Sequence, residues 1–329
     1  MATAIGTNVV TSIARRHILP TITDNVYRSN VLFFRLYRAA KRMTQGGTQI
    51  EAPLMYSKMA AGGPYQGLDL LDISPTDSIK NGAWDWKQYY VPVSVDGLTL
   101  IKTDQPEAVA NFLTQYFAQA EMEMADLLGI GLFTDGTTNT KHLDGLKGAV
   151  DDGTVLTTYG GLSRTTNTWW KSQMDTTAYT SGGTPLSLSK LQAMFGSTQE
   201  GGRHSTLIVS QQLGYNIYWN LNTSGQRFPA EPMGHDEQLA QAGFTNLLFN
   251  GVPWVADSHV PNGSGGSSTE IYFLNEDYFY FCVSPRADFY LEDFQVPVNQ
   301  DAMVAKLFWA GNVLLTNAAR QGKFTNVAG

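Results

Sequence analysis

Five histidines, His17, His142, His204, His235 and His259, are the first residues to try for chemistry, because imidazole is the commonest protein metal ligand and a ready general base. No two stand at HExxH spacing. The single cysteine, Cys282, completes no Cys/His set, so the pattern gives no zinc site. Asp135, Asn139, Asp144, Asp151 and Asp152 gather oxygen ligands in one glycine-rich stretch, yet their spacing departs from an EF-hand loop, and turn formation accounts for them. The pairs Asp151/Asp152 and Glu292/Asp293 are adjacent in sequence, point to different sides and read as solvated. Trp169 and Trp170 could stack a sugar or a base, but packing in a core or an interface explains them as well. GxGxxG, Walker and GxSxG patterns are missing from the sequence. The residues therefore assign no catalytic, cofactor-binding or metal site and no cofactor, and the chain reads as a non-enzyme.

Composition turns the question toward surfaces. Only 16% of the 329 residues are charged, against ~25% in ordinary globular proteins, while 43% are apolar. Such a chain suits a subunit covered by neighbours better than a freely diffusing monomer. Residues 1–42 hold Arg15, Arg16, Arg28, Arg35, Arg38, Lys41 and Arg42 against Asp24 alone, a net +6, so a total of −7 leaves −13 for the remainder. A basic arm on an acidic body can bind nucleic acid or another copy of that body. Arg28, Arg35 and Arg38 lie among apolar residues, which favours neighbouring subunits. Cys282 sits among aromatics as a buried reduced thiol, so disulfides within the chain are excluded and synthesis in the cytoplasm follows. No stretch approaches the ~20 apolar residues of a membrane span, and the N-terminus lacks the apolar core of a signal peptide.

The element that must position the rest runs from 104 to 131. Asp104, Pro106 and Glu107 mark a helix start. Val109, Phe112, Leu113, Tyr116, Phe117, Ala120, Met124, Leu127 and Leu128 recur at helical spacing, with Asn111, Gln115, Glu121, Glu123 and Asp126 opposite. Gly129 and Gly131 end the run, and 105–128 alone gives a strut of ~36 Å. Ahead of it, 1–19 reads as an extended arm, Pro20 opens a short helical stretch with Ile22 and Val26 inward, and Asn30 caps a helix over 31–40. Strands are expected over 48–56 and 83–95. Between them 58–82 is rich in turn residues yet carries Met59, Tyr65, Leu68, Leu70 and Leu71, beside Met55 and Tyr56, an apolar set on a projecting hairpin that needs something to lie on. After the strut come a short helix following Pro185, a strand over 206–209, a helix capped by Ser210, and a hairpin about Asn250-Gly251. Residues 258–268 are expected to be a loop. Two further hairpins are expected, 270–274 with 278–283, and 302–309 with 312–316 around Ala310-Gly311.

This order, carried by DNVYRSNVLFFRL, DWKQYY, AEMEMADLLGIGLFTDG, LDGLKGAVDDG, YGGLSRTTNTWWK, FNGVPWVADSH and PVNQDAMVAKLFWAGNVLLTNAARQG, resembles the major capsid proteins of tailed double-stranded DNA bacteriophages. The resemblance covers nearly the whole chain and implies an α+β chain of the Hong Kong 97 type (Johnson) fold. It implies an N-terminal arm at 1–47, an extended loop at 48–95, a peripheral domain at 96–184 and 299–329 with a spine helix at 105–131, and an axial domain at 185–298. It also implies hexamers and pentamers of the same chain in an icosahedral head, packaged double-stranded DNA on the inner face, portal and cement proteins, and a virion location after synthesis in the host cytoplasm. No long helical extension precedes the arm, which implies a separate scaffolding protein or none. Some relatives join subunits by a Lys–Asn isopeptide bond; Lys58, Lys80 and Lys87 lie on or beside the loop, and solvated lysines are the simpler reading. The same fold also serves encapsulin-like compartments, and a glycan-binding or hydrolytic protein using the tryptophans is the reading from another class.

Overall fold

The apolar run after Pro106 forms one helix, Pro106–Leu132, about 40 Å long at ~1.5 Å per residue. The computed structural model describes residues 30–43, 47–59, 62–71, 74–97, 106–180, 184–199, 202–222, 247–262, 268–298 and 301–328. The expected short helix after Pro20, the bases Arg15, Arg16 and Arg28, His17, His235 and Asp104 lie outside them, as do the side chains of Val109 and Phe112. Leu113, Phe117, Ala120, Met124, Ala125 and Leu128 form the buried stripe of the long helix. Glu121, expected on the wet face, is 2% exposed, because it stands one turn from both Phe117 and Ala125 on the buried side. Tyr116, expected inside, is 39% exposed.

Fifteen strands follow the chain among the described residues: β1 Lys41–Arg42, β2 Gln49–Met55, β3 Ile79–Asp85, β4 Lys87–Asp96, β5 Thr158–Tyr159, β6 Leu162–Ser163, β7 Gln173–Tyr179, β8 Leu207–Ser210, β9 Leu247–Phe249, β10 Val252–Ala256, β11 Ser268–Leu274, β12 Phe279–Val283, β13 Tyr290–Leu291, β14 Ala302–Leu315 and β15 Gly322–Ala328. The expected strand over 83–95 is two strands, divided at Trp86. β3 pairs only with β2, in register from Gln49 opposite Asp85 to Met55 opposite Ile79, and makes the projecting hairpin. β4 instead pairs along ten residues with β14 in a five-stranded sheet.

β14 replaces the hairpin expected around Ala310-Gly311. It runs straight through, because both of its edges are paired: β4 on one side, and β13 then β12 on the other. Gly311 is needed for close approach rather than for a turn, since a Cβ there would run into the Cys282 carbonyl and come within 2.8 Å of the Trp309 ring. The expected pairing of 270–274 with 278–283 is also not formed. The two strands part at Asn275–Tyr278: β12 joins the five-stranded sheet, and β11 joins a six-stranded sheet of order β7-β15-β11-β8-β10-β9. That second sheet is a partition. Tyr272 and Leu274 face the large core shared with the long helix, while Ile271 and Phe273 face a smaller core under the helices Leu188–Ser197 and Gln212–Asn222.

Local geometry is set at three places. Asn30 Oδ1 accepts the Phe33 N–H and caps the arm helix Val31–Arg38; Ser187 caps Leu188–Ser197; Asn250 and Gly251 have φ of 50° and 80°, the geometry of a two-residue hairpin turn. Ser210 does not cap. It ends β8 and its hydroxyl accepts the Trp254 indole N–H at 2.8 Å. No helix of the described residues is long and apolar enough to cross a membrane.

Two outcomes test this packing. Gly311→Ala is expected to cost roughly 1–3 kcal/mol, as overpacking does in a closed site, read as a lower denaturant midpoint with an unchanged slope. Burial raises the Glu121 carboxyl from 4.5 to about 8, so its proton stabilises the fold fully below 4.5 and that stabilisation is lost as pH rises through about 8. This group alone should lower stability across the window by up to about 1.4 kcal/mol per pH unit, and Glu121→Gln should remove this contribution to the slope in urea titrations.

Candidate functional site

Among the described residues, those that could have done chemistry are spent locally. Asp135 accepts the backbone N–H groups of Thr137 and Thr138, and Asn139 that of Lys141. Asp152 accepts from Thr154. Asp151 is wholly buried against Arg164, whose guanidinium also donates to the carbonyls of Gly148, Ala149, Leu156 and Trp170, so this pair ties the chain from 148 to 170 together. Glu292 pairs with Lys306 at 3.7 Å. His142 lies 3.4 Å from the Tyr89 hydroxyl, and His204 contacts the Ser205 carbonyl. Among the described residues no group of three or more His, Cys, Asp or Glu could hold a metal ion. Trp170 is buried with its indole N–H on the Tyr159 carbonyl, and Trp169 stacks on Tyr56 at 5.6 Å.

One network was invisible in the sequence. Asp144 accepts the Asn312 side-chain N–H at 2.7 Å and stands 3.6 Å from Lys87 Nζ, which donates to the Thr140 carbonyl; Asn312 also donates to the Asp85 carbonyl. Burial raises the Asp144 carboxyl, against the pull of Asn312 and Lys87. These residues close the end of β14 over the root of the hairpin.

Seven of the exposed large apolar side chains belong to that hairpin. Its root is packed: Trp84 is 1% exposed in the turn of Gly160 and Gly161, where a Cβ on Gly160 would meet the indole at 2.7 Å. Lys80 Nζ donates to Asn167 Oδ1 at 2.8 Å and lies over the Tyr56 ring, fixing one side of the root. Its outer part is bare. Met55, Met59, Tyr65, Leu68, Leu70, Leu71 and Ile79 are all exposed, and Leu68 and Leu70 completely so. Lys58 is exposed there, Lys80 is held by Asn167, and Lys87 is buried in the body.

No protein-family model matches the sequence, and no curated protein matches it. Solved structures do match it. The capsid asymmetric unit of cyanophage A-1(L) superposes with a TM-score of 0.62 at 13% identity, over 92% of this chain and 93% of that one. The capsid of Myoviridae phage XM1 gives 0.55 at 12%, over 88% and 89%. The SrpI encapsulin complex of Synechococcus elongatus gives 0.57 at 13%, over 89% and 87%. This chain has the fold of those capsid and encapsulin chains. The α+β class and the Hong Kong 97 type expected from the sequence are thus the fold observed.

Within that fold one of the bases expected to meet neighbouring subunits, Arg35, is used differently. Arg35 makes a bidentate pair with Glu276 at 2.7 and 2.8 Å inside its own chain. Arg42 pairs with Asp288 at 3.1 Å, and Lys41 lies over the Tyr280 ring. The apolar setting of Arg35 marked an intrachain contact, and Arg38 is the exposed base of this helix. Arg35→Glu is therefore expected to destabilise the separate subunit by ~2 kcal/mol, since it sets two carboxylates together where a charged hydrogen-bonded pair stood. Arg38→Glu should shift the denaturation midpoint little.

Proposed function

We propose that this chain is the major capsid protein of a tailed double-stranded DNA bacteriophage, self-assembling as hexamers and pentamers into an icosahedral head around packaged DNA. One observation carries the reading. A hairpin rooted firmly in a complete core projects seven large apolar side chains into solvent, and a monomer gains nothing from holding them there. The role is structural rather than enzymatic, and the tryptophans of the glycan-binding reading are engaged in packing.

In this reading residues 1–47 are the arm, the hairpin ending at Asp85 is the extended loop, 96–184 with 299–329 are the peripheral domain around the spine helix, and 185–298 are the axial domain. Scaffolding, portal and cement proteins are its partners, along with DNA on the inner face. The protein is made in the host cytoplasm and ends in the virion. An encapsulin-like compartment is the second reading, favoured by the encapsulin among the structural neighbours.

Electron micrographs of the purified protein separate these outcomes: closed shells of DNA-head size support the first, small shells the second, and absence of particles under all conditions refutes both. Replacing 58–77 by a short turn leaves both cores and the Lys80–Asn167 contact intact. The shortened subunit should show the parent's circular dichroism, while sedimentation should show shells that fail to close. Normal stable shells from it would remove the hairpin from assembly.

A further inference from the structure

The arm helix and the long helix are joined through one histidine. His259, in the turn after β10, has Nε2 2.8 Å from Asp126 Oδ1 on the long helix and Nδ1 3.1 Å from Asp257 Oδ1. Asp257 is 4% exposed, and its other oxygen accepts the Leu32 N–H in the first turn of the arm helix at 3.3 Å. The helices themselves meet beside this ring at Gly129, where a Cβ would run into the Asn30 amide and lie 3.3 Å from His259 Cε1.

A neutral imidazole has one N–H and one lone pair, so between two carboxylates it satisfies one and turns its lone pair on the other. The imidazolium donates to both. Asp257 cannot swing away, because the backbone N–H groups of His259 and Leu32 hold its two oxygens. We propose that protonated His259 is a clasp that ties the arm helix to the long helix, and that loss of its proton lets the arm helix loosen. The charged groups facing the ring are Asp126 from the long helix and Asp257 from its own turn; the arm helix contributes the Asn30 amide and the Leu32 N–H. Asp257 first, and Asp126 second, raise the imidazole to about 9 against the opposing effect of burial. The stabilisation is complete below the ordinary value of 6.5 and is lost as pH rises through about 9.

The inference concerns the single subunit and stands apart from the shell reading. Hydrogen exchange of peptides covering 31–38, corrected for the intrinsic base-catalysed rate, tests it from about pH 6 to about pH 10. Unassembled protein carrying Glu121→Gln is used, so that the other titrating group of the long helix is silent. Protection of 31–38 should fall at least about tenfold over this range while β14 stays protected. Asp126→Asn, a change at a half-exposed partner, should move the loss to lower pH, and His259→Asn should lack the protection throughout. Protection of 31–38 that ignores pH, that falls only together with β14, or that survives in both variants would overturn the clasp; if His259→Asn does not fold, the Asp126→Asn shift decides.

Discussion

β14 must be paired on both edges at once, and most of the architecture follows from that constraint. A strand of fourteen residues exposes many backbone donors and acceptors, each costly to bury unpaired. β4 covers one edge from Ala302 to Gly311, while β13 and β12 divide the other between them. The hairpin root is fixed as a result, because β3 ends at Asp85 only two residues before β4 begins. The second sheet is fixed too, because β12 is reached from β11 through the short turn Asn275–Tyr278, in which Gln321 holds Asn275 and Arg35 holds Glu276.

Two polar sites sit where apolar packing cannot close the structure. Arg164 and Asp151 are both fully buried, yet the guanidinium reaches four carbonyls and the carboxylate accepts three backbone N–H groups. Such a pair adds little net stability over an apolar equivalent, but removing either partner leaves an uncompensated charge, so it acts as a specification of the fold around 148–170. The Asp144, Asn312 and Lys87 group does the same at the end of β14. Its members come from three distant segments, which joins the strut's exit turn to the sheet.

What the sequence made legible was what local physics decides. The Asn30 cap, the Asn250-Gly251 turn, the long helix and the bare apolar loop depend on neighbours within a few residues, and the structure holds all four. Errors arose where distant pairing overrode a local signal. Ala310-Gly311 looks like a turn until Val283 and Lys87 are set on either side of Gly311. Strands β11 and β12 look like a hairpin until each finds a different partner. Arg35 looked available to a neighbour, but Glu276, 241 positions away, was not visible as its partner. Glu121 was misplaced by polarity alone, since its spacing from Phe117 already put it inside. The pairing of His259 with Asp126 carried no sequence signal beyond the presence of both residues.

The hairpin's energetics favour many contacts over one. Fully burying a large apolar side chain is worth ~1.5–3 kcal/mol, so the seven exposed on the hairpin offer roughly 10–20 kcal/mol if all are covered. Fixing one subunit against another costs ~4–15 kcal/mol in lost freedom, which cancels much of that gain for an isolated pair. In the proposed shell the balance would change, because each subunit would both give a hairpin and receive one, while the last contacts would form between partners already held in place. Weak pairwise attraction with strong closure also lets a misplaced subunit leave before the structure seals. Under the proposed assembly the dense root of Trp84, Tyr56, Trp169 and Lys80 would have a physical purpose: a hairpin held at a set angle loses less entropy on docking than a flexible one, so more of its apolar surface would count toward closure.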